Sequence, residues 1–160
     1  MNIREVIPYS YRQWMKKLNT QMKILIINGP NLNLLGTREP ETYGKESFEE
    51  YFSNLQFKFR DTELSFYQSN IEGELIDRLQ QADKEFDGVV LNAAAYTHTS
   101  VGIGDAVKAI SIPVVEVHIS NTFARESFRH TSYISANAKG IIIGFGLPVY
   151  DLAITSFLKD

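Results

Sequence analysis

Three features of the sequence predict an α/β fold built on one doubly wound parallel sheet. From Lys23 onward, five short apolar runs alternate with amphipathic segments, the order expected when helices cover both faces of a parallel sheet. Most of the runs are continuously apolar and rich in β-branched residues, as strands buried on both faces are. Two of the intervening segments open with Ser followed three residues later by Glu, the pattern of a capping box at a helix N-terminus. A chain of 160 residues, 44% of them hydrophobic, holds enough apolar material for one such core, so a single domain over residues 23–160 is expected.

Residues 23–28 (KILIIN) form the first predicted strand, ending at Gly29-Pro30. The connection that follows, residues 28–44, is long. Strand-to-helix connections usually take about two to six residues, and longer ones are commonly lids or binding loops, so this stretch reads as a lid. Ser47 and Glu50 then open a helix in which Phe48, Tyr51, Phe52, Leu55 and Phe59 recur at helical spacing. Residues 63–68 form a second strand whose alternation suits a sheet edge. Ser69 and Glu72 repeat the capping pattern ahead of Leu75, Ile76, Leu79 and Ala82. Residues 87–92 are the third strand, and Thr99 or Ser100 caps a helix running to about Ile110. Residues 113–118 are the fourth strand and 140–144 the fifth, with a polar segment carrying Arg125 and Arg129 between them and a closing helix over 150–158. Right-handed crossovers give the flavodoxin-like strand order 2-1-3-4-5 with helices on both faces. Ligands of such sheets bind beyond the carboxyl ends of the strands, at the switch between the first and third, where residues 28–43 and 92–100 begin.

Composition removes several function classes. The net charge is −3 and no polybasic run is present, which argues against nonspecific binding to nucleic acid or to an anionic membrane surface. Cysteine is absent, excluding a disulfide framework and a thiol nucleophile and suiting a cytoplasmic location. Residues 1–22 stand apart. Arg4, Arg12, Lys16 and Lys17 against Glu5 give +3, which leaves −6 for the rest of a chain whose net charge is −3. This extension fits an upstream addition to a start at Met22, a helical arm or a transit peptide. It lacks the apolar run of a secretory signal, and nothing in the chain approaches the roughly 20 apolar residues of a membrane span.

The side chains able to do chemistry gather at the predicted carboxyl edge. Glu116 and His118, two apart on one strand, leave the same face, and a carboxylate beside an imidazole favours its protonated form, as a general acid requires. A buried ion pair without a catalytic role has the same spacing. Arg38 and Tyr43 lie on the lid. Bringing a phenol from its reference pKa near 10 to about 7 takes roughly 4 kcal/mol, much of which one arginine can supply in a dry site, whereas an exposed arginine and a packed tyrosine are the plain alternative. Arg125 and Arg129 share a face if their segment is helical, making an anion clamp or a solvated turn. Asn31, Asn92, His98 and Ser120 add neutral hydrogen-bonding groups. Neither a dinucleotide fingerprint nor a P-loop is present. No lysine ends a strand to form a Schiff base, and His98, His118 and Glu116 read less readily as metal ligands than as acid catalysis. Neither metal nor cofactor is expected.

Together, residues 28–44 (NGPNLNLLGTREPETYG), 68–70 (QSN), 92–100 (NAAAYTHTS) and 116–121 (EVHISN) closely resemble type II 3-dehydroquinate dehydratase, over a span from Lys23 to the C-terminus. The resemblance implies a shikimate-pathway hydro-lyase acting without metal or Schiff base and assembling as a homo-oligomer, trimers grouped into a dodecamer. It makes Tyr43 the base that takes a C2 proton, with Arg38 supporting its phenolate, and His118 the acid that protonates the departing C1 hydroxyl. Glu116 would orient His118, and Asn31 would hold a water near the enolate oxygen. Asn92, Ile119 and Ser120 match positions that bind the substrate carboxylate, and His98 and Arg129 match contacts to ring hydroxyls. Arg125 matches a site-closing arginine, and Asp105 a residue that reaches a neighbouring subunit's site. Two departures stand out: Ala94 and Val149 occupy positions where many relatives have glycine. A binding or regulatory domain that kept the scaffold without turnover is the competing class, and the joint presence of Tyr43, Arg38, Glu116 and His118 favours the enzyme.

Overall fold

All five apolar runs become strands in the computed structural model, which describes residues 21–37 and 46–158. β1 (Met22–Asn28), β2 (Thr62–Gln68), β3 (Gly88–Asn92), β4 (Val114–His118) and β5 (Gly140–Ile143) lie parallel in the order β2-β1-β3-β4-β5. The helices are α1 (Phe48–Lys58), α2 (Glu72–Glu85), α3 (Val101–Ala109) and α4 (Val149–Leu158). Alternate strand residues bury on opposite sides. Ile24, Ile26, Val90, Val115 and Val117 pack with Phe48 and Leu55 of α1 and Ala153 and Ile154 of α4. Leu25, Ile27, Val89 and Leu91 pack with Leu75 and Leu79 of α2 and Ile103 and Val107 of α3. Burying such a Leu, Ile or Val side chain stabilises by about 1.5–3 kcal/mol, and the two apolar layers therefore make the sheet a rigid base for what projects from its edge.

Local signals place the helices. Ser47 Oγ accepts from the Glu50 N–H at 3.2 Å and Glu50 accepts from the Ser47 N–H at 3.1 Å, closing the predicted box. Ser100 is the cap of α3, accepting from the Ile103 N–H at 2.8 Å. The second capping pattern is a correction. Ile71, not Ser69, precedes the first turn of α2; Ser69 accepts from the Ile71 N–H and bonds Glu74, a tight turn ahead of the helix. β2 begins at Thr62, one residue early, and α4 begins at Val149, whose side chain is fully buried.

Register brings the predicted edge together. Gln68, Asn28 and Asn92 end β2, β1 and β3 side by side. Gly29 donates its N–H to the Asn92 carbonyl at 2.7 Å, and a Cβ on Gly29 would lie 2.5 Å from the Ala93 oxygen, so only glycine lets the two strand ends approach this closely.

Candidate active site

The floor of the site is a buried hydrogen-bonded chain running out of α4. Tyr150, fully buried, donates its hydroxyl to Asn28 Oδ1 at 2.8 Å and accepts from Asn92 Nδ2 at 2.9 Å. The Ala94 N–H donates to Asn92 Oδ1 at 3.2 Å. A backbone N–H can only donate, so the atom it meets must be oxygen, and the orientation of the Asn92 amide is settled. Burial pushes the Tyr150 phenol up, against the opposing effect of its two asparagine partners, and keeps it neutral. Tyr150→Phe should therefore lower stability by roughly 3 kcal/mol, since Asn28 and Asn92 would be left buried and short of a partner. Thermal or urea unfolding reads this directly, and a loss under about 1 kcal/mol would show that the chain is not needed.

Glu116 and His118 project from β4 onto the same side, as their spacing requires. His118 Nε2 lies 2.7 Å from Glu116 Oε1, and Glu116 is fully buried. Burial alone would raise the Glu116 carboxyl, but hydrogen bonds from His118, Ser135 and Ser132, together with the charge on His118, hold it below the ordinary carboxylate range. An ionised Glu116 requires the proton on Nε2, which leaves Nδ1 as the nitrogen of His118 that exchanges protons with the cavity. The His98 ring lies 6.1 Å from that of His118, nearly parallel to it. Its Nδ1 is 2.7 Å from the Thr131 carbonyl oxygen, so Nδ1 carries hydrogen and donates. Desolvation lowers the His98 pKa, as do His118 and Arg129, while the Thr131 carbonyl and Glu116 oppose them. A neutral His98 then offers Nε2 as an acceptor. The two imidazoles are set for opposite tasks.

The cavity at this edge measures about 140 Å³. Asn31, Asn92, His98, His118, Ile119, Ser120, Arg125 and Arg129 all line it. The two arginines are not on one helix, so the condition for a shared helical face is not met. Arg125 is extended between the turns Thr122–Ala124 and Ser127–His130, and Arg129 sits in the second of these. They converge through Glu126 instead, at 3.7 Å from Arg125 Nε and 2.8 Å from Arg129 Nε, and Arg125 also bonds Ser120 at 3.3 Å. Glu116 lies behind His118. Asp105 faces away on the exposed side of α3, outside the cavity lining. Arg38 and Tyr43, with the outer part of the predicted lid, lie outside the described residues.

The first residues of the predicted lid are latched. Asn31 adopts a left-handed conformation with φ 68°, and its N–H donates to Asn70 Oδ1 at 2.9 Å. Gln68 holds the same Asn70 oxygen at 3.1 Å and the Gly29 carbonyl at 3.3 Å. Ala94, one of the two departures, is left-handed as well, with φ 51°. An L-residue in that region bears a penalty of about 1 kcal/mol or more. Ala94→Gly should thus raise stability by about 0.5–1 kcal/mol once the added freedom of the unfolded chain is subtracted, a gain readable as a higher Tm. A lower Tm would mean that the methyl packs well enough to outweigh the strain. Sequence reasoning missed Tyr150, Thr131, Ser132 and Ser135. Their partners are between 16 and 122 positions away, and no local pattern announces them.

Comparison with known proteins decides the family. The family model described as Dehydroquinase class II matches residues 22–158. The chain belongs to the class II dehydroquinase family. A dehydroquinase relative from Exiguobacterium sp., a 3-dehydroquinate dehydratase, is 54% identical over 139 residues, covering 86% of this chain and 95% of its own. The crystal structure of the type II dehydroquinase from Butyrivibrio crossotus is 46% identical, covers 87% of this chain and 99% of its own, and superimposes with a TM-score of 0.82. That from Propionibacterium acnes is 38% identical, covers 88% of this chain and all of its own, and gives 0.83. This dehydroquinase chain thus carries the family's fold over every element described above.

Proposed function

We infer that the chain is a type II 3-dehydroquinate dehydratase, a hydro-lyase that removes water from 3-dehydroquinate to give 3-dehydroshikimate in the shikimate pathway. The observation that carries this reading is the His118–Glu116 pair, 2.7 Å apart at the carboxyl end of β4 and opening into a cavity lined by neutral donors and two arginines. The reaction is an anti elimination through an enolate. Tyr43, as its phenolate, takes a proton from C2, and the electron pair moves onto the C3 oxygen. Arg38 stabilises the phenolate, and a water held by Asn31 stabilises the enolate oxygen. The enolate then collapses as the C1–O bond breaks, with His118 giving a proton so that the hydroxyl leaves as water. Glu116 keeps His118 in the tautomer that does this. Ile119, Ser120 and Asn92 receive the carboxylate, His98 and Arg129 the ring hydroxyls, and Arg125 closes the site.

The catalytic unit is read as residues 23–160, with residues 1–22 an extension that carries no chemistry; the family match beginning at residue 22 supports this. Among the described residues no helix is long and apolar enough to cross a membrane. We read the enzyme as cytoplasmic and as a dodecamer built from trimers in which Asp105 completes a neighbour's site, supported by its exposed position on α3 and the sequence resemblance. Incubating the purified chain with 3-dehydroquinate should produce the absorbance of a conjugated enone. No signal at any pH would overturn the assignment. Borohydride added with substrate should leave activity intact, because no imine forms; irreversible inactivation would require a lysine nucleophile instead.

A further inference from the structure

One short segment, residues 131–135, bonds His98 directly and the Glu116 partner of His118, without lining the cavity itself. The Thr131 carbonyl accepts from His98 Nδ1. Ser132 Oγ stands 3.0 and 3.3 Å from the two Glu116 oxygens, and Ser135 Oγ donates to Glu116 Oε2 at 2.6 Å. Ser132 Oγ also accepts the N–H groups of Ile134 and Ser135, at 3.1 and 3.0 Å, so its lone pairs are engaged and its proton is left for the carboxylate. The segment is pinned. Ile134 is fully buried, and the Tyr133 N–H donates to the Thr97 carbonyl at 3.0 Å. A Cβ on Gly104 would meet the Tyr133 oxygen at 2.3 Å, so α3 and the segment are pressed together.

We propose that Ser132 and Ser135 are positioning residues that clamp the Glu116 carboxylate and thereby fix which nitrogen of His118 faces the cavity. This rests on His118 being the proton donor of the reaction. A buried carboxylate can accept several hydrogen bonds, and each one missing leaves a desolvated lone pair. With both serines in place, Glu116 is held ionised and cannot rotate away from Nε2. Removing one has a definite sign. The serines stabilise the state in which the pair is negative more than the state in which imidazolium and carboxylate neutralise each other. Without Ser135 the pair therefore keeps its last proton to higher pH, and it also accepts a second proton at higher pH. Among the described residues, the other charged or titratable groups that line the cavity with His118 are His98, Arg125 and Arg129, none of them altered by the substitution.

The test is Ser135→Ala, with Ser135→Thr as the rescue that restores the hydroxyl. For the full chain turning over 3-dehydroquinate, Ser135→Ala should reduce kcat about tenfold and leave KM within about twofold. Both limbs of its pH profile should move up by about one unit, and Ser135→Thr should restore the wild-type profile. The chain has only three histidines, so nitrogen NMR follows His118 without substrate; its titration midpoint should rise in Ser135→Ala and return to the wild-type position in Ser135→Thr. An unmoved profile and midpoint in a folded Ser135→Ala protein would overturn the proposal, whatever its kcat. If the wild-type chain does not turn over, the functional reading fails, and the NMR midpoint still decides whether the serines act on the pair.

Discussion

Tyr43→Phe is expected to lower kcat by roughly 10³-fold or more while changing the affinity for a non-reacting substrate analogue by less than about threefold. The substitution deletes one oxygen. If that oxygen is the base, the ring still packs and the ligand still binds, but nothing removes the C2 proton. The phenolate needs roughly 4 kcal/mol of preferential stabilisation to exist near neutral pH, and on the proposed mechanism Arg38 supplies it. Replacing Arg38 with a neutral residue should then move the rise in activity toward higher pH. Calorimetric titration beside steady-state rates separates the cases: if binding falls as far as turnover, Tyr43 positions substrate and another group is the base.

His118→Asn should reduce kcat by about 10²- to 10⁴-fold, the range for loss of a general acid, with a smaller change in KM. Asparagine keeps an N–H within reach of Glu116, so the buried carboxylate is not left alone; an alanine there would add a penalty of about 3–5 kcal/mol for an unpaired buried charge. His98 cannot substitute. Desolvation holds it neutral, and its Nδ1 proton is committed to the Thr131 carbonyl. The pH dependence of stability has a fixed sign. Because the folded carboxyl of Glu116 lies below its ordinary value, its contribution is present above the ordinary carboxylate range and disappears as pH falls through the folded value. Losing the imidazolium charge raises the folded value, so His118→Asn should be less stable than wild type near neutrality and approach it in acid. A near-normal kcat in a folded His118→Asn enzyme would remove His118 from the chemistry.

The parts of the molecule that the chain announces locally were legible in advance. Strands such as Ile24 to Ile27 are apolar on both faces, and that pattern has few other uses. Ser47 and Glu50 satisfy each other within one turn, so their box survives into the fold. Ser69 and Glu72 carry the same pattern, yet the Ser69 hydroxyl finds Glu74 and a nearby N–H first, a competition that four letters cannot resolve. Arg125 and Arg129 gather at one site by sharing Glu126 across two short turns, not by helical spacing. The polar framework behind the site was hidden for another reason. Tyr150 meets Asn28 and Asn92 only because the sheet order sets α4 against the ends of β1 and β3, and Ser132 and Ser135 meet Glu116 only after a 16- to 19-residue excursion. Ala94 shows the middle ground, since a methyl at a position that favours glycine could be flagged beforehand, and its left-handed φ confirms why.

In the proposed mechanism, base and acid act from opposite faces of one substrate, Tyr43 on one side and His118 on the other. The most direct measurement is the fate of deuterium placed stereospecifically at C2 of 3-dehydroquinate, read by mass spectrometry of the product. An anti elimination loses the hydrogen on the face opposite the departing C1 hydroxyl and retains its partner. Loss of the hydrogen on the same face would rule this arrangement out, because a syn elimination cannot be run by these two residues from opposite sides.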